Sequence, residues 1–156
     1  SLTSIMSTTG EGDVGTPEPE ILGALMQPRP TEREASIEHG VEIQRTIGSE
    51  HFDEDRARKR ATLEVDRGVN PIGVTRQLLA IVASGDRAEG LAALDLPALV
   101  VHGRGDRLVG FSGGQRTAQL IAGADLLAFD DMAHDLPVPL WPRIADAIAD
   151  VANRAD

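Results

Sequence analysis

Two residues of this chain combine side-chain type and position in a way that suits acid–base chemistry, Asp106 and His134. The first follows an apolar run, Ala98-Leu99-Val100-Val101, through His102-Gly103-Arg104-Gly105. The second follows another, Leu126-Leu127-Ala128-Phe129, through Asp130-Asp131-Met132-Ala133. Short apolar runs bounded by turn residues read as buried strands. A helical stretch separates them, so the strands are expected to be parallel, with an acid and a histidine just past their ends. That edge is where open α/β sheets bind ligands. An Asp that orients a His makes two members of a Ser-His-Asp arrangement, in which the imidazole takes a proton from a nucleophile and returns it to a leaving group.

The third member is harder to place. Gly110-Phe111-Ser112-Gly113-Gly114 satisfies Gly-x-Ser-x-Gly literally. A nucleophile elbow needs a full strand directly before it, and only Leu108-Val109 precede this one. Ser112 is therefore not expected to be the nucleophile but to cap the helix that follows. Asp131 lies three residues before His134; if close, it would favour the charged imidazole. His102 is read as a strand-end residue lining the site, and His39 and His51 as solvated. The four histidines are too scattered for a metal-ligand set, and no metal or cofactor is expected. Arg104-Gly105-Asp106 spells an integrin-type tripeptide, but a three-residue match is weak beside the role just given to its Asp.

The elements that position these residues can be read from caps and periodicity. Ser1 to Thr9 reads as a strand broken by Gly10, and Glu20–Met26 as a short helix. Thr31 and Glu34 fit a capping box opening a helix to about Ile47, which Gly48 ends. Asp53 is a candidate cap for a helix to Arg67. Asn70-Pro71 opens another, with Val74, Leu78, Ile81 and Val82 on one face. Arg87–Leu94 is a short amphipathic piece. A helix is expected at about 113–122, and a last one places Trp141, Ile144, Ile148 and Val151 in one stripe. The expected division is a core strand in residues 1–10, a helical lid in 11–95, and a core segment in 96–156 carrying the acid and the histidine.

Composition narrows the partners. Acids outnumber bases 25 to 15, a net charge of −10, which disfavours phosphate backbones, so no nucleic acid is expected. There is no Cys, which removes thiolate chemistry and disulfides. No apolar run is long enough to span a membrane, and no signal peptide is evident; a cytoplasmic location is the expectation. The chain opens at Ser1 directly in a strand, as though inside a larger fold.

With these residues in place, the chain resembles the C-terminal half of an α/β-hydrolase, closest to bacterial small-molecule esterases. The acid motif His-Gly-x-x-Asp-x-x-Val is matched by His102-Gly103-Arg104-Gly105-Asp106-Arg107-Leu108-Val109. The histidine motif, Gly-Met-Gly-His followed by Asp-Leu-Pro, is matched by Asp131-Met132-Ala133-His134-Asp135-Leu136-Pro137, with Asp131 and Ala133 replacing the two glycines. The resemblance implies three parallel strands with an all-helical lid insertion, Asp106 and His134 as catalytic residues, and a small-molecule ester-type substrate. In that family the nucleophile elbow precedes the lid, so the resemblance implies a nucleophile upstream of Ser1 and a chain inactive alone. Two alternatives stay open: a truncated, non-catalytic binding or interaction module, and a dehalogenase or epoxide hydrolase with an Asp nucleophile. In either case Ser1–Met6 would present an unpaired edge, open to an N-terminal hydrolase half or to self-association.

Overall fold

The computed structural model describes residues 1–155. Its sheet has three parallel strands in the order β1 (Leu2–Ile5), β2 (Ala98–Gly103) and β3 (Asp125–Phe129). Leu2 stands opposite Ala98, and Leu99 opposite Asp125. All six residues of β2 are buried, as expected of a central strand covered on both faces. Between β1 and β2 run α1 (Pro19–Leu25), α2 (Arg33–Ile47), α3 (Glu54–Asp66), α4 (Pro71–Ser84) and α5 (Ala88–Ala92). After β2 come α6 (Phe111–Leu120), β3, a short 3-10 turn (Val138–Leu140) and α7 (Trp141–Asn153).

The pleat of β2 sends alternate side chains to opposite faces. Leu99 and Val101 join Phe129, Met132, Leu140, Ile144 and Val151 in the main core beneath α7. His102 turns the other way, against Gly114 of α6: a Cβ at Gly114 would lie 2.3 Å from the His102 ring. A second, smaller core joins α2 and α3 through Ile37, Val41, Ala57 and Ala61. Its alanines let the two helices approach closely, and a Cβ on Gly40 would come within 3.0 Å of Ala61.

Several local readings need correction. β1 ends at Ile5 rather than Thr9, because Met6 already adopts a left-handed φ of 48° that ends the strand. The capping box of Thr31 and Glu34 does not form. Glu32 is the cap instead, its carboxylate accepting from the Glu34 and Ala35 amides at 3.0 and 2.7 Å; its longer side chain reaches both. Asp53 and Asn70 do cap α3 and α4. In α7, Ile144 and Val151 are buried as expected, but Trp141 leaves the stripe. Its indole N–H donates to the Leu136 carbonyl, and the Arg56 guanidinium sits 4.5 Å over its ring. The apolar face of α4 is not packed: Val74, Ile81 and Val82 are 62–73% exposed.

Candidate functional site

β2 and β3 end side by side, and the loops leaving them carry Asp106 and His134. The two loops are stitched by backbone. The Arg104 amide donates to Phe129 and the Gly105 amide to Met132. Glycine is required at 103, since a Cβ there would lie 2.2 Å from the Met132 carbonyl oxygen. This close approach brings the two side chains together: His134 Nδ1 is 2.8 Å from Asp106 Oδ2.

The Asp106 carboxylate is buried and accepts three hydrogen bonds. Its Oδ1 accepts from the Leu108 and Val109 amides at 2.9 and 2.8 Å. Its Oδ2 accepts from His134 and lies 3.4 Å from His102 Nε2. That Nε2 also lies 2.8 Å from the Val109 carbonyl, which can only accept, so Nε2 carries a proton. His102 Nδ1 is left buried without a partner against α6. Burial pushes the Asp106 carboxyl up, but the hydrogen bonds from His102, His134 and the Val109 amide outweigh it and hold the pKa at about 2.

This shift has a consequence for stability. A carboxylate depressed in the folded state stabilises above its unfolded pKa, about 3.9, and that contribution is lost as pH falls through the folded value. The drop from 3.8 to about 2 corresponds to about 2 kcal/mol. Urea titrations between about pH 4 and pH 2 should therefore show a shallower loss of stability in Asp106→Asn than in the unsubstituted chain. Equal slopes would refute the shift.

The Nε2 of His134 has no protein partner among the described residues, and its side chain is 25% exposed. The imidazole is thus held at one nitrogen and open at the other, the state a general base requires. Ser112 is elsewhere engaged. It sits inside the first turn of α6, whose cap is Gly110 with no side-chain bond, so Ser112 does not cap the helix as expected. Its hydroxyl accepts from the Gly15 amide at 2.9 Å, because Gly15, at φ +65°, passes close over Gly113.

Asp131 also departs from expectation. It bonds His51 at 3.0 Å, and no hydrogen bond joins it to His134. His51 is correspondingly not a solvated residue. The bond to Asp131 raises its pKa above the ordinary histidine value, and the same bond lowers that of Asp131. Sequence reasoning also missed the hold on Asp106 by His102, although the four-residue spacing hinted at it. It named Asp135 only as part of the motif after His134 and missed its bonds to Ser49.

Two concavities, of about 310 and 410 Å³, lie along β1 and β3, and neither includes Asp106 or His134. Among the described residues there is no cluster suited to a metal ion, and no helix is long and apolar enough to cross a membrane.

No family model matches the chain. Solved structures do. A meta-cleavage product hydrolase from Pseudomonas fluorescens superposes with a TM-score of 0.64 at 22% identity, over 92% of this chain and 54% of that one. An esterase from Exiguobacterium antarcticum gives 0.66 at 16% identity, over 95% and 56%. An enol-lactonase from Burkholderia xenovorans gives 0.66 at 18%, over 97% and 55%. The chain spans about half the length of these structures. Nearly all of the chain is covered in each case, helical segment included, so the likeness is one of architecture across both the sheet and its insertion. Across nearly its whole length the chain has the fold of the C-terminal part of an α/β-hydrolase: three parallel strands with an all-helical insertion between the first two.

Proposed function

We propose that Asp106 and His134 are the acid and the histidine of a hydrolase cleaving ester-type bonds in a small molecule, with a nucleophile from outside these 156 residues. The observation that carries this is the pair itself: a buried carboxylate pinned by two backbone amides and bonded at 2.8 Å to an imidazole whose other nitrogen is open. In the proposed reaction His134 Nε2 takes the proton of the nucleophile as it attacks the acyl carbon. The proton then passes to the departing alcohol as the ester C–O bond breaks. Asp106 holds Nδ1–H in place and stabilises the imidazolium. Water, activated by the same nitrogen, releases the acyl group.

The likeness to an esterase, an enol-lactonase and a meta-cleavage product hydrolase supports this chemistry at the level of fold. In this reading residues 11–95 form a lid, and the missing core half lies along the outer edge of β1, which pairs only with β2 among the described residues. The exposed apolar face of α4 fits a helix that packs on that half.

The test begins with the DNA upstream of the Ser1 codon. An in-frame Gly-x-Ser-x-Gly is expected there, and the extended chain should turn over nitrophenyl esters. Turnover should vanish in His134→Ala and persist in Ser112→Ala. The reading fails if activity survives the first change, or if the unextended chain hydrolyses the ester in a manner that Ser112→Ala abolishes.

A further inference from the structure

The loop that carries His134 is held by more than the sheet. The amide of His134 itself donates to the carbonyl of Ile47, the last residue of α2, at 3.0 Å. The next residue, Asp135, spans two segments. Its Oδ1 accepts from the Ala133 amide at 3.1 Å, one residue before the histidine. Its Oδ2 accepts from the Ser49 amide at 3.2 Å and from the Ser49 hydroxyl at 2.9 Å, just past the end of α2. Two outer contacts follow the same seam, His51 with Asp131 and Arg56 over Trp141. Apart from the Ala133–Asp135 bond, each of these contacts joins residues 47–56 to residues 131–141. The backbone on both sides of His134 is therefore tied to the junction of α2 and α3, while only the imidazole is tied to Asp106.

We propose that Asp135 and Ser49 are positioning residues for His134, latching its loop to the α2–α3 junction so that presentation of the imidazole depends on that junction being docked. The role of His134 rests on the function proposed above; the latch itself is a statement about which contacts hold the imidazole. The physical basis is the precision such a site demands. A general base displaced by about 1 Å loses most of its effect. A histidine on a loop acquires that precision only if its backbone is pinned from more than one side. Asp135 does this with a single carboxylate, since one oxygen shapes the turn before His134 and the other reaches 86 residues away in sequence to Ser49. Movement of the helical segment would then be felt at the imidazole without any contact between the segment and the ring.

The experiment uses the chain as it stands and needs no hydrolysis. Hydrogen exchange at the His134 amide and the Nδ1–H resonance of its ring are followed by NMR in Asp135→Ala, Ser49→Ala and Ser49→Thr. The latch predicts that Asp135→Ala speeds exchange at the His134 amide by about tenfold or more and shifts or broadens the ring proton. Ser49→Ala should do the same to a smaller degree, and Ser49→Thr, which keeps the hydroxyl, should restore both signals. Amides of Val100 and Val101 in β2 should not change, which also reports that the variants are folded. The proposal is overturned if His134 exchange and its ring proton are unaltered in both alanine variants. It is equally overturned if β2 exchange rises in step, since the effect would then be general loosening. Because neither readout involves catalysis, a chain that fails the ester assay above can still pass or fail this one.

Discussion

Replacing Asp106 by Asn is expected, on the function proposed above, to cut turnover of the extended chain by about 10⁴-fold, the scale for losing the orienting carboxylate of such a triad. The cause is the proton count around the carboxylate. Asp106 receives two backbone N–H groups on Oδ1, and His134 and His102 face Oδ2. An amide has one oxygen and one NH2. If the oxygen stays with the Leu108 and Val109 amides, the NH2 faces His134 Nδ1 and forces the proton of that ring onto Nε2. Nε2 can then no longer accept the proton of a nucleophile. The same NH2 also opposes His102 Nε2–H, donor against donor. If the amide flips, the clash moves to the two backbone N–H groups. The tautomer change is visible without activity: ¹⁵N shifts of His134 in the chain itself should report Nδ1–H before the substitution and Nε2–H after it. An unchanged tautomer, or a loss below about tenfold, would contradict the assigned role.

The largest stability effect is expected from Gly103→Ala. The new methyl would lie 2.2 Å from the Met132 carbonyl oxygen and 2.7 Å from that of Ala133. Both obstacles are backbone, so no side chain can swing aside. The loop before His134 must move, and the bond between the Gly105 amide and Met132 is strained with it. Overpacking of this kind costs about 3 kcal/mol or more at its upper end. The site should fail together with the fold, because the displaced segment leads directly into His134. Gly90, in α5, is the control: a Cβ there meets nothing within 4 Å, and Ala should be neutral or stabilise by up to about 1 kcal/mol. Urea unfolding of the two variants decides the matter. Similar midpoints would show that the loops have slack that the geometry denies.

Much of the framework was legible in one dimension. An apolar run marked β2 because a strand buried on both faces has no choice but to be apolar throughout; the run that marked β3 keeps its apolar character although Leu126 is exposed and only Phe129 is buried. Asp53 and Asn70 declared their helices because a cap bonds its own neighbours, two or three residues on. Asp106 and His134 were recognisable from their place after two strand ends, since parallel pairing alone puts those ends on one edge. What could not be read was the partner of each polar group whose neighbours come from far along the chain.

Ser112 was expected to cap its own helix, yet Gly15, 97 residues earlier, supplies the donor. Asp131 would have favoured the charged form of His134 had it lain close, yet His51, 80 residues earlier, takes its carboxylate. Asp135 was visible only as the start of the Asp-Leu-Pro tail after His134 and Ser49 carried no signal, because their bond exists only once segments 86 residues apart meet. The chain by itself therefore determined most of its elements and the place of an acid and a histidine on one sheet edge, because propensity, burial pattern and capping act over a few residues. Only the tertiary structure decided which donor meets which acceptor around them. That choice is set by how α2 and the loop from Gly10 to Glu18 lie against the strand ends, and no local rule encodes the approach of segments that distant.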